Sequence, residues 1–317
     1  MKPEDVKELL VGNILSDNMN KGFDYAAAFQ KLWTNTLRDN ARRVAQDAEN
    51  FIKTMATYPR ASISNLLKGK KGLVTGVANG NSIAYGAARA FHEAGAEIML
   101  TCRRPKTEQY VRPLLRELGN PALLLCDVSD EEQLQAVFEH IGREWGKLDF
   151  LLHSITYASK EDLHGRVVDC SREGFKTAME ISCYSFIRMA KLAEPLMKDG
   201  GCLLTMTYYG AEKVIEHYNI IGPVKAALEC AVRYMASELG PNGIRVHAIS
   251  PGPIKTRAAS GIDGFEELED QAARRAPIPH RITIDDVGAV AVYLVSDAAA
   301  ALTGHTVYAD AGYHILG

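Results

Sequence analysis

Tyr218 and Lys225, seven residues apart, are the pair in this sequence best suited to chemistry on a carbonyl group. A phenol held beside an ammonium can donate a hydrogen bond to an oxygen on which negative charge is growing. If the residues between them are helical, seven positions make about two turns and put both side chains on one face. Tyr208 stands a short way upstream as a second candidate. The string Tyr209-Gly-Ala-Glu-Lys213 offers a rival tyrosine and lysine at closer spacing. It starts only two residues after a strand-like run, so Tyr209 is expected in a loop, and Tyr218 and Lys225 are preferred.

Alternating elements must position these groups. The apolar runs Gly72–Thr75, Glu97–Cys102, Ala122–Asp127, Leu148–His153, Cys202–Thr207, Arg245–Ser250 and Thr306–Asp310 read as strands. Longer amphipathic stretches such as Ala84–Ala94 separate them. Seven continuously apolar strands with helical connections predict an α/β fold: a doubly wound parallel seven-stranded sheet covered on both faces. Right-handed crossovers then place a ligand at the carboxyl ends of the strands.

Residues 1–60 read differently. Phe29, Leu32, Trp33, Leu37, Ala41, Val44, Ala48, Phe51, Ile52 and Met55 recur at three- and four-residue spacing. That period predicts a helical N-terminal extension ending at Tyr58-Pro59, an arm on the body or on a neighbouring subunit. A partner-docking module is the other reading. The expected division is a helical extension over 1–60 and the α/β domain over 61–317.

Bulk composition excludes several classes. The 317 residues carry 36 Lys and Arg against 39 Asp and Glu, so no basic excess points to nucleic acid. No apolar run reaches the roughly 20 residues of a membrane span, and the charged start lacks a signal peptide's apolar stretch. The six cysteines show no metal-ligand spacing and several fall in apolar runs, as small core residues do. A reducing cytoplasm is the expected setting, with no metal.

Gly76 to Gly86 links the first strand to the first helix. Glycines there permit a tight turn and close approach of backbone to a pyrophosphate, and the helix N-terminus offers free N–H groups. This predicts a dinucleotide site. Asp127, closing the third strand, suits an adenine-edge contact. Where an acidic residue would hold an adenosine ribose, the second strand ends instead in Arg103 and Arg104. Two guanidinium groups suit a 2′-phosphate, so NADPH is expected in preference to NADH.

These segments resemble the enoyl-acyl-carrier-protein reductases, a divergent branch of the short-chain dehydrogenase/reductase family. The resemblance runs from about Leu66 to the C-terminus, through Ser82-Ile-Ala-Tyr-Gly86, His153-Ser-Ile155, Ile181-Ser-Cys-Tyr-Ser185, the Tyr208/Tyr218/Lys225 segment and Gly252-Pro-Ile254. It implies a Rossmann-like fold and hydride transfer to the β-carbon of a trans-2-enoyl thioester on acyl carrier protein or coenzyme A. By the same resemblance Gly76, Ala78, Ser82, Ile83, Asp127, Val128, Ser154, Ile155, Lys225, Ile254, Lys255, Thr256, Arg257 and Ala258 would line the cofactor. Tyr218 would polarise the thioester oxygen, Lys225 would hold the ribose, and Tyr208 and Ala158 would meet the substrate. Lys255 to Pro277 would cover the acyl chain, with Gly261 and Gly264 as hinges. A homotetramer is the family's usual assembly.

Four positions depart from the family's usual pattern: Thr156, Pro223, His247 and Pro251. Thr156 should narrow the pocket beside the nicotinamide, and Pro223 is tolerable only in a helix's first turn. An ordinary ketone or alcohol oxidoreductase acting on β-ketoacyl thioesters stays open. So does a cofactor-binding scaffold protein.

Overall fold

Alternate residues along each strand face opposite layers of helix, which fixes the architecture. The computed structural model describes residues 65–163, 165–256 and 265–316. The extension predicted over 1–60 lies outside the described residues. Strands β1 (Lys71–Thr75), β2 (Glu97–Cys102), β3 (Leu123–Leu125), β4 (Phe150–His153), β5 (Gly201–Met206), β6 (Ile244–Pro251) and β7 (Thr306–Ala309) form one sheet. Its order is β3-β2-β1-β4-β5-β6-β7 with every pairing parallel, the predicted doubly wound sheet.

Val74, Leu100, Leu152 and Leu204 meet helices α1 (Ile83–Glu93) and, later in the chain, Ile284–Val295. Leu73, Met99, Leu151 and Leu203, each one residue away, point to the other face. They pack on α3 (Glu131–Trp145), which follows α2 (Pro105–Val111), and on α5 (Ser185–Ala193) and α6 (Ile221–Leu239). Helix α4 (Arg172–Met179) runs into α5 through a π-helical turn, Glu180–Tyr184. Helices α7 (Phe265–Arg275) and α8 (Ile284–Val295) lie between β6 and β7.

Glycine lets α1 and α8 approach closely. A Cβ on Gly86 would lie 2.5 Å from the Ile284 carbonyl oxygen, and one on Gly288 would lie 2.9 Å from the Gly86 oxygen. The order of crossovers reverses between β1 and β4. A crevice therefore opens at their carboxyl ends, where open α/β sheets take their ligands.

Candidate active site

The crevice floor is built by Gly76, immediately after β1. Its φ of +89° suits glycine, and a Cβ there would lie 2.1 Å from the Ser154 carbonyl oxygen. The β1 and β4 ends thus touch backbone to backbone, with Ile155 beside them. Ser82 precedes α1 but does not cap it: its hydroxyl donates to the Asn79 carbonyl at 2.7 Å. The Ala78 N–H points back at that hydroxyl at 3.5 Å. No side chain caps the first turn of α1 and no acidic residue sits in it, leaving N–H groups available to an anion. Ile83 packs on the core beneath. These residues fit a dinucleotide's pyrophosphate, since any side chain at Gly76 would fill the cradle.

Beyond the β2 and β3 ends, Arg103 is already engaged. Its Nε donates to Asp127 at 2.7 Å, and its guanidinium lies over the Tyr157 ring at 5.5 Å. Burial works against the Asp127 charge, yet the bonds from Arg103 and Ser129 prevail and hold the carboxyl below its usual range. The Asp127 N–H is taken by the Gln133 side chain at 3.0 Å. Val128 packs on the core, whereas Arg104 is exposed at the start of α2.

His153 closes β4 with no exposure at all. Its Nδ1 lies 2.9 Å from the Thr205 hydroxyl and its Nε2 2.8 Å from that of Ser185. Ser185 spends its proton on the Ile181 carbonyl at 2.7 Å, so the histidine must donate through Nε2 and accept at Nδ1. Burial, helped by the nearby Lys225 charge, pushes its pKa down to about 3 and keeps it neutral. One turn away, Ser182 accepts from the Tyr157 N–H at 2.9 Å and from the Thr156 hydroxyl at 3.4 Å. The π-helical turn therefore clamps both the end of β4 and the loop after it. His153, Ser182 and Ser185 were visible only as parts of motifs, because sequence spacing carries no signal of a π-helical turn.

Tyr208 follows β5, and its ring stands 5.0 Å from that of Tyr218 at 64°. With Ala158, Leu163, Ile220 and Ile221 they form a small apolar cluster separate from the two sheet-face cores. Tyr218 is not helical, contrary to the expectation of two helical turns. It sits in the turn before α6, between His217 at φ +61° and Asn219 at φ +42°. Those left-handed residues prevent the helix from starting before Ile221. Pro223 is then the third helical residue, in the first turn, where a missing N–H costs little.

Lys225 is 4% exposed and donates to the Met206 carbonyl at 2.7 Å. Burial lowers its pKa to about 8. Burial also raises the Tyr218 phenol far above its ordinary value, with Tyr208 and Glu229 adding to the effect. Tyr218 is thus a firmly protonated donor at neutral pH. The rival pair separates: Tyr209 is buried and donates to the His314 carbonyl at 3.1 Å, while Lys213 is exposed.

After β6, Ile254 packs on the core, and Lys255 is exposed and paired with Glu266 on α7. Thr256 follows it on the same loop. Arg257, Ala258, Gly261 and Gly264 lie outside the described residues. His247 is wholly buried in β6, with Nε2 bonded to the Leu302 carbonyl at 3.0 Å and Nδ1 unbonded.

A sequence profile described as Enoyl-(Acyl carrier protein) reductase matches residues 76–314. The chain belongs to the enoyl-(acyl carrier protein) reductase family. Among members of that family, enoyl-[acyl-carrier-protein] reductase [NADH] 1 of Rhizobium meliloti is 48% identical over 257 residues, 81% of this chain and 94% of the relative. The Aquifex aeolicus enoyl-[acyl-carrier-protein] reductase [NADH] is 48% identical over 253 residues, 80% of this chain and 94% of its own length. A solved Anaplasma phagocytophilum reductase in complex with NAD is similar at a TM-score of 0.77 and 47% identity, over 80% of this chain and 97% of that one. A Bacillus cereus enoyl-acyl carrier protein reductase with NADP+ and an indole naphthyridinone matches at 0.78 and 44%, over 80% and 99%.

Proposed function

We propose that this chain reduces the carbon–carbon double bond of a trans-2-enoyl thioester in fatty-acid synthesis, as an oxidoreductase dependent on a nicotinamide dinucleotide. The observation that carries the reading is the packed pair Tyr208 and Tyr218 beside Ala158, in the loop after β5, the strand next to β4 and its Gly76–Ser154 crevice. Bound in that crevice, the dinucleotide supplies a hydride. Gly76, Ala78, Ser82 and Ile83 would hold its pyrophosphate, Asp127 and Val128 its adenosine end, and Ser154, Ile155 and Lys225 its nicotinamide half. Ile254 to Ala258 would cover it.

Charge from the reduced double bond would move to the thioester oxygen as an enolate, which a proton from solvent would then discharge at the α-carbon. Tyr218 donates a hydrogen bond to that oxygen. A group acting this way has only to stay protonated, and burial keeps Tyr218 so. Lys225 positions the ribose, and Tyr208 walls the substrate against Tyr218.

NADH is proposed as the working dinucleotide, on the names of the relatives. NADPH is proposed to be accepted too, through Arg104 and through Arg103, whose bond to Asp127 uses its Nε. The relatives' names favour acyl carrier protein over coenzyme A as carrier. A homotetramer in the cytoplasm rests on the family resemblance; among the described residues no helix is long and apolar enough to cross a membrane. The relatives match almost end to end yet cover only four-fifths of this chain, which supports 1–60 as a separate extension.

Replacing Tyr218 by Phe tests the central role. Turnover of an enoyl thioester should fall by about 10²- to 10³-fold, while the dinucleotide Kd stays within about twofold of wild type, because the lost hydroxyl faces substrate. Turnover equal to wild type would remove Tyr218 from the reaction.

A further inference from the structure

Glu229 is a carboxylate with 6% exposure, four residues beyond Lys225 on the same face of α6. Nothing in the chemistry above uses it. A buried acid is expensive unless its oxygens are satisfied, and these are. The Thr207 hydroxyl donates to Glu229 Oε1 at 2.6 Å, and Thr306 on β7 adds a second side-chain hydrogen bond. Lys225, one turn earlier, donates to Met206. Successive turns of α6 therefore grip successive residues at the end of β5, and the next residue is Tyr208. Thr207 is further fixed by its N–H, which donates to the Ile249 carbonyl at 2.8 Å.

We propose that Glu229 is a positioning residue of the reduction: its carboxylate fixes Thr207, and through it Tyr208, while balancing the buried ammonium of Lys225. The inference rests on Lys225 being the group that holds the dinucleotide. A lysine this deeply buried tends to lose its proton, and a neutral amine is a poorer donor to ribose hydroxyls. Cys183 and, after it, Glu229 pull the Lys225 pKa upward against burial. The other groups around the pair are known. Burial raises the pKa of Glu229 itself, and the Thr207 and Thr306 bonds and Arg233, one turn further along α6, oppose that rise. Glu212 reinforces it, and Tyr308 and Tyr218 both feel the Glu229 charge. His153, facing Lys225, stays neutral.

The test follows dinucleotide Kd against pH in the full chain, with wild type and E229Q compared. In wild type, affinity should weaken as pH rises through about 8, the value at which Lys225 loses its proton. Glutamine keeps an oxygen for Thr207 but removes the charge, so the alkaline loss of affinity should begin about one pH unit lower. E229D, with its carboxylate withdrawn by one methylene, should shift the same limb in the same direction by less. It carries the test if E229Q does not fold. An alkaline limb at the wild-type pH in folded E229Q, or in E229D where E229Q is not folded, would overturn the proposal and leave Glu229 a purely structural acid. Because the readout is binding, absence of enoyl turnover would sink the reductase reading without deciding this one.

Discussion

His153 and His247 lie on the strands flanking β5, each with no exposure, and burial holds both neutral, near 3 and 4 rather than 6.5. The unfolded chain takes up a proton at each as pH falls through 6.5, whereas the native fold does not until near pH 4 and below. Between those values the unfolded state binds more protons, so each histidine takes stability away as pH falls. The slope is about 1.4 kcal/mol per pH unit for each site. His247→Asn should flatten the acid side of the stability curve by about that slope. Urea unfolding between pH 6.5 and 4.5 reads it, and an unchanged slope would mean that His247 titrates natively. The same scale shows why residue types were easier to name than to place. Tyr218 and Lys225 stand out by type and spacing, but the positive φ of His217 and Asn219 is written in no pattern, and it decides that Tyr218 lies ahead of the helix. Glu229 left one faint trace, a charge four residues from Lys225 on the face that carries Leu228 and Val232.

At the scale of elements, apolar runs located all seven strands to within one or two residues at most ends, because a strand buried on both faces has few polar interruptions. The π-helical turn at Glu180–Tyr184 was not legible, since its sequence is an ordinary helical one. Its consequence is local: it aims Ser182 and Ser185 at the end of β4 and the loop after it. Arg103 also has a partner that type and position did not signal, since its Nε bonds Asp127. The α1–α8 contact supplies a test of how tightly the cradle is supported. Gly86→Ala would place a methyl 2.5 Å from the Ile284 carbonyl oxygen, within a helix pair that cannot yield without moving backbone. Thermal or urea unfolding should register a loss of about 1–3 kcal/mol, the usual cost of overpacking. A variant as stable as wild type would show that α8 can retreat at no cost.

For the whole molecule, the site draws on loops after β1, β2, β3, β4, β5 and β6, all at one end of a single sheet. Among the described residues the crevice is built from Gly76 onward, and relatives that match only four-fifths of this chain carry the same family name. Removing residues 1–60 should therefore leave turnover per site within about threefold of the full chain, the shift expected when no group touching the transition state is lost. A collapse of activity in the folded, shortened chain would assign the extension a part in the site. The central claim is that the hydride goes to an enoyl β-carbon and not to a ketone. The most direct measurement follows NADH and NADPH oxidation with crotonyl and acetoacetyl thioesters of acyl carrier protein, side by side on the full chain. The account predicts rapid oxidation with the crotonyl thioester and little with the acetoacetyl one. Preferred turnover of the acetoacetyl thioester would contradict it and make the chain a ketone reductase on the same fold.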